Sequence, residues 1–126
     1  MNMINDNTKF ELPELKYDYS GLEPLISGKL LELHHSKHHN AYVTGANTAV
    51  EQIGEARSND DTSKINLLTK NYTFNLAGHI NHSLFWDNMT PAEKTSFGYK
   101  NATDGPVGHL KAAIEAEFES FEKFKK

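Results

Sequence analysis

Residues 31–42 read LELHHSKHHNAY, four histidines and a tyrosine within twelve positions. Histidine binds transition metals and exchanges protons near neutral pH, so spacing decides whether these rings act together. On a helix, residues four apart fall within about 40° of one another. His34, His38 and Tyr42 therefore share a face with Ile26 and Leu30, and the imidazoles continue an apolar stripe. His35 and His39 are turned away by about 100°, towards solvent or a neighbouring helix. Taken singly, each histidine reads as a core-edge or surface residue. A second cluster changes that: GHINHSLFW, residues 78–86, supplies His79 and His82 with Phe85 and Trp86 one turn beyond.

For the two clusters to meet, their helices must be antiparallel neighbours. Ser20 with Glu23 three residues later is a capping-box pattern, and Pro24 suits a first turn, so the first helix is expected to start near Leu22. Apolar residues at helical spacing continue through Leu30, Leu33, Ala41, Ala49 and Ile53 to about Ala56; Gly45 marks a kink or a close-packing point. RSNDDTS, residues 57–63, reads as a polar turn, with Thr62 or Ser63 as cap of a second helix over about 64–88. That helix ends before Pro91. In such a hairpin His34 lies about 26 residues before the turn centre and His82 about 22 after it, an approximate match in height.

Residues 95–108 form a turn-rich connector with three of the eight glycines. Beyond it Leu110, Ile114, Phe118 and Phe121 stripe a last helix running to the end of the chain, and its phenylalanines look unpartnered. The expected organisation is a flexible N-terminus (1–9), a helical-hairpin domain (10–94), the connector (95–108) and a C-terminal helix (109–126): an all-α fold.

Composition removes several classes of function. The 126-residue chain carries a net charge of -4 with no basic run to track a phosphate backbone, so nucleic acid is not an expected partner. It has no cysteine, so any metal must take His, Asp or Glu. The polar start MNMINDNTKF carries no apolar leader, and no stretch approaches the roughly 18 apolar residues of a membrane span; the default placement is cytoplasmic. Imidazole suits Fe, Zn, Cu and Mn, so the histidines alone do not name a metal. Two are also too few for a catalytic site, which takes three or four protein ligands. Asp60, Asp61, Asp87, Asp104, Glu51 and His109 are the remaining donors, and none sits convincingly.

LPELKYDYSGLEP (12–24), LHHSKHHNAYV (33–43), FNLAGHINHSLFW (74–86) and SFEKFK (120–125), in that order and spacing, resemble the iron/manganese superoxide dismutases over residues 10–125. The resemblance implies that His34 and His82 are metal ligands. His38 and Tyr42 would line the substrate entrance, with Tyr42 a gate reaching towards the metal's solvent ligand. Phe74, Phe85 and Trp86 would form the aromatic packing. Gly78 matches the manganese-type pattern, where the iron type commonly has Gln; the implied cofactor is Mn, with Fe as the alternative. His35, His39 and His79 match positions that are not ligands. The substrate would be superoxide, and the partners a second copy or a complementing C-terminal half.

The family's other two ligands, in a D-x-W-E-H-A-Y-Y motif of a C-terminal α/β domain, have no counterpart in these residues. This chain by itself is therefore expected to show little or no activity. Smaller departures are Lys16 in place of Pro, Leu25 in place of His or Tyr, and the connector. Two other readings stand beside the dismutase half: a non-catalytic assembly module of the same descent, and a small histidine-based Zn or Cu protein, which the Irving–Williams order favours.

Overall fold

A computed structural model describes residues 9–91, 106 and 108–126. Most of the expected N-terminal tail and connector, and Asp104, lie outside the described residues. The chain divides into two compact units, residues 1–90 and 91–126. The described residues are helical or irregular with no strand among them, as the all-α reading expects. None of their helices is long and apolar enough to cross a membrane.

The first unit is a hairpin. α1 (Gly28–Leu33) runs through a π-helical segment, His34–His39, into α2 (Asn40–Ser58), and α3 (Ile65–Asp87) returns alongside. The helix does not begin near Leu22. Only a 3-10 turn forms at Tyr19–Leu22, because Glu23 is extended (φ -67°, ψ 152°), as a residue before proline prefers to be. The N-cap is Ser27, whose Oγ accepts from the Leu30 N–H at 3.3 Å. Glu23 still serves the same terminus: its carboxylate accepts the Gly28 N–H at 2.9 Å, where a negative charge complements the helix dipole.

α2 stops at a left-handed residue, Asp60 (φ 52°), with the Asp61 N–H returning to the Ala56 carbonyl at 2.9 Å. Aspartate tolerates this conformation better than most side chains. Neither Thr62 nor Ser63 caps α3; Lys64 precedes it without a side-chain cap, and the Asp61 carboxylate instead accepts the Ser63 N–H at 2.9 Å.

The two arms approach closely at two glycines. A Cβ on Gly45 would lie 2.3 Å from Asn75, and one on Gly78 would lie 2.4 Å from the Tyr42 ring. Close packing, rather than a kink, is thus the role of Gly45. The buried face also differs from the expected stripe. Leu31, His35, His39, Val43, Ala46 and Ala49 are buried, whereas Leu30 and His38 are exposed. Both series have the same spacing, so periodicity cannot choose between them. The choice falls to the one that meets Trp86 and the N-terminal arm.

That arm, irregular from Phe10 to Asp18, is tied down by polar contacts. Asn47 grips Phe10 from both sides, accepting its N–H at 2.8 Å and donating to its carbonyl at 2.9 Å. The Tyr17 hydroxyl donates to the Trp86 carbonyl at 3.1 Å. Leu22, Leu31 and Trp86 form a core against which Leu15, Tyr17, Tyr19, Ile26 and Met89 pack.

In the second unit the expected single C-terminal helix is two. α4 (Gly108–Phe118) ends at Glu119, left-handed at φ 66°, and Ser120 caps α5 (Phe121–Phe124) by accepting the Lys123 N–H. The break folds the phenylalanines onto one another: Phe124 lies 5.1 Å from Phe118 and 6.0 Å from Phe121, ring centre to ring centre.

Candidate metal centre

His34 and His38 both belong to the π segment, a wider i→i+5 winding that recurs at functional sites. Their rings lie 5.3 Å apart, centre to centre. From the opposite arm His82 reaches both, 5.1 Å from His34 and 5.0 Å from His38. The Nε2 atoms of His34 and His82 are 3.1 Å apart.

The other face of His82 fixes its tautomer. Its Nδ1 is 2.7 Å from the Gly78 carbonyl, which can only accept, so Nδ1 carries the proton and the Nε2 lone pair points at His34. This is the orientation a ligating imidazole needs. Two nitrogens each about 2.1 Å from one ion and 3.1 Å apart subtend about 95° at it, an ordinary angle between neighbouring ligands. Burial, helped by the charges His82 and His38 would carry, lowers the His34 pKa below 6.5. His34 is therefore neutral at pH 7 and available to a cation.

Tyr42 closes one side. Its ring is 5.1 Å from those of His38 and His82 and 5.8 Å from Phe74. Gly78 makes room for it. Phe85 and Trp86 line the other side, 5.5 and 5.0 Å from His34. Trp86 is buried, while Phe85 and Phe74 keep much of their surface exposed. His34, His38, Tyr42, Phe74, Gly78, His82, Phe85 and Trp86 thus gather in one place.

The other candidate donors of the first unit do not join them. Asp60 and Asp61 belong to the turn, Asp87 pairs with Lys16 at 2.7 Å, and Glu51 is exposed on α2.

His35, His39 and His79 are the finding that sequence reasoning missed. His39 is fully buried and His35 nearly so. The indole N–H of Trp86 donates to His39 Nδ1 at 2.9 Å. Because that indole can only donate, neutral His39 carries its proton on Nε2 and gives it to His79 Nδ1 at 2.8 Å. Burial, followed by the facing His79, His82 and His35, pushes the His39 pKa down to about 4; burial lowers that of His79 as well. The His35 Nε2–H donates to the Pro13 carbonyl at 2.8 Å, and the Tyr19 hydroxyl donates to its Nδ1 at 3.1 Å. The i,i+4 pair His35 and His39, with a tryptophan and a further histidine on the facing arm, was the available signal. The His39 ring stacks on His82 at 5.3 Å, so this network backs the His82 side of the centre.

The family model described as iron/manganese superoxide dismutases, alpha-hairpin domain, matches residues 9–90. The chain belongs to this family. Relatives include a protein named superoxide dismutase [Mn] from Nocardia asteroides, 53% identical over 93% of this chain. Another, named superoxide dismutase [Mn/Fe], from Propionibacterium freudenreichii subsp. shermanii, is 53% identical over 92%. A superoxide dismutase [Fe] from Mycobacterium tuberculosis is 50% identical over 93%. The matches cover 52%, 54% and 52% of these relatives, so the chain spans about half their length. Manganese or iron is the cofactor class of these superoxide dismutases, and their names at near-equal identity do not choose between the two. The donors fit part of such a site: convergent imidazoles, with no carboxylate beside them among the described residues.

Proposed function

We propose that this chain supplies the helical-hairpin half of a superoxide dismutase centre, converting two superoxide ions and two protons to O2 and H2O2. One observation carries the reading: His34 and His82, from opposite arms, present Nε2 atoms 3.1 Å apart while the Gly78 carbonyl holds the far side of His82. His34 and His82 would hold the metal, which when bound would supply the one-electron exchange that superoxide dismutation requires. The missing ligands, an Asp and a His in the family pattern, come from a C-terminal portion or a complementing chain.

The other residues act around those two. His38, exposed, and Tyr42, half-buried, stand beside His82 where substrate arrives and protons are handed on. Trp86 and Phe85 keep water from the inner side of His34. The Trp86–His39–His79 hydrogen bonds hold the second layer in one protonation pattern, so the cluster keeps its shape while charge changes beside it. Manganese is the favoured metal and iron the alternative, because Gly78 matches the manganese-type pattern of the family, where the iron type commonly has Gln.

The test is complementation. The chain is refolded with a polypeptide equivalent to the second half of the Nocardia asteroides relative, loaded with Mn or Fe, and assayed for superoxide removal. Activity is expected from the mixture, little or none from either part, and none from a mixture carrying His82→Ala. A folded, metal-loaded mixture that is inactive, or one in which His82→Ala is as active as the parent, refutes the reading.

A further inference from the structure

The inner histidines owe much of their cover to the N-terminal arm and the turn after it. His35 is held from that side twice, its Nε2–H donating to the Pro13 carbonyl at 2.8 Å and its Nδ1 accepting from the Tyr19 hydroxyl at 3.1 Å. Phe10 stands edge-on to His79, 5.9 Å between ring centres, while Leu15 and Tyr17 pack against the core that holds Trp86. We propose that residues 10–18 form a strap that lifts from the hairpin as one unit, with Asn47 as its latch, and that the docked strap is what keeps Trp86 and the histidines behind the metal centre out of water. The proposal stands on the hairpin alone and holds whether or not the dismutase reading does.

The strap is attached far more weakly than what lies beneath it. None of residues 10–18 is fully buried, whereas His39 and Trp86 are only 0% and 4% exposed. A segment with few buried contacts, laid over a well-packed layer, opens locally at less cost than global unfolding. Among the described residues no backbone–backbone hydrogen bond joins the strap to the helices, so every polar tie runs through a side chain. A hollow of about 280 Å3, lined by Leu15 and Tyr17 of the strap and by His35, leaves its underside loosely packed there.

Asn47 is the strongest single tie. Its carboxamide engages both polar backbone groups of one residue, accepting the Phe10 N–H at 2.8 Å and donating to the Phe10 carbonyl at 2.9 Å. α2 supplies this group, and α3 supplies Tyr72 and His79, whose rings lie 6.4 and 5.9 Å from that of Phe10. One residue of the strap is therefore gripped by both arms of the hairpin. The far end is held more loosely, by one hydrogen bond from the Tyr17 hydroxyl to the Trp86 carbonyl and by the Lys16–Asp87 pair. The side chains of that pair are 77% and 56% exposed, and an ion pair so open to water contributes little.

Trp86 is the one tryptophan of the chain, and its indole N–H, bonded to His39 Nδ1 at 2.9 Å, gives a single NMR signal that reports on the cover. Its hydrogen exchange is followed in the metal-free 126-residue chain at several urea concentrations below the unfolding transition, beside the slowest backbone amides of α2 and α3. The indole N–H is expected to exchange faster than those amides and with little dependence on urea, because lifting the strap exposes little surface. Asn47→Ala should speed that exchange by roughly fivefold or more, even at the low end of what two hydrogen bonds are worth. Thr48→Ala, exposed one position further along α2, should not speed it. Circular dichroism confirms folding. If Asn47→Ala folds poorly, Asn47→Asp repeats the test, since it keeps the shape but has no N–H for the Phe10 carbonyl. Indole exchange with the full urea dependence of the slowest helix amides would mean that the cover opens only when the whole hairpin unfolds, and overturns the proposal. So does an acceleration of less than about fivefold in the folded Asn47 variants.

Discussion

Gly78 offers a sharp test because two opposing effects of known size meet at one atom. Replacing a helical glycine by alanine ordinarily stabilises by about 1 kcal/mol. At Gly78 the added Cβ would meet three Tyr42 ring atoms, at 2.4, 2.6 and 2.6 Å. The ring must retreat by about 1 Å to restore ordinary contact, and overpacking of this kind costs about 1–3 kcal/mol. So severe an overlap belongs at the upper end, leaving Gly78→Ala about 2 kcal/mol less stable than the parent. Gly54, in α2, is the control: a Cβ there meets nothing within 4 Å, so Gly54→Ala should stabilise by about 0.5–1 kcal/mol. Urea unfolding followed by circular dichroism measures both. The clash is assigned to Tyr42 by repeating Gly78→Ala in a Tyr42→Ala background, where the substitution should become stabilising like the control. Equal gains at Gly54 and Gly78, or a Gly78 penalty that survives removal of the tyrosine ring, would show that Tyr42 does not lie over Gly78.

Two further outcomes follow from the inner histidines. In the unfolded chain these imidazoles take a proton near pH 6.5, whereas His39 in the fold resists until about pH 4 and His34 and His79 also bind protons less readily than usual. Between those limits the unfolded chain binds protons the folded chain refuses, so metal-free stability should be full above about pH 6.5 and fall as pH drops towards 4. His39 alone accounts for on the order of 3 kcal/mol of that loss; a flat urea midpoint across the window would contradict it. Trp86→Phe should cost about 1–3 kcal/mol for the buried His39 Nδ1 left without its donor, beyond the loss of ring volume. It should also raise the His39 pKa, measured by NMR titration, because the indole N–H no longer occupies the site of protonation.

The hairpin was legible because its signals are local: two periodic segments, a polar turn and a terminating proline. The pairing of His34 with His82 was legible from counting residues about that turn. What was not legible depended on contacts across the fold. Glu23 looks like part of a capping box until the following proline holds it extended, and Ser27 takes over the cap. The stripes through residues 30 and 31 have identical spacing, and only the arm and Trp86 decide which is buried. For the same reason the spacing left His35 and His39 facing either solvent or a neighbouring helix, when they are the most deeply placed of the described histidines. The break at Glu119 carries no sequence signal beyond Ser120, since glutamate seldom adopts a left-handed conformation. The family resemblance supplied roles for His38 and Tyr42 that periodicity could not.

The central claim is that one cation is shared across the hairpin by His34 and His82. An X-ray structure of the chain soaked in Zn2+, with anomalous differences collected at the zinc edge, tests it most directly. A single peak within about 2.1 Å of Nε2 on both residues is the expected result. Zinc bound to one of these histidines without the other, or Nε2 atoms that turn away from each other at saturating metal, would contradict it.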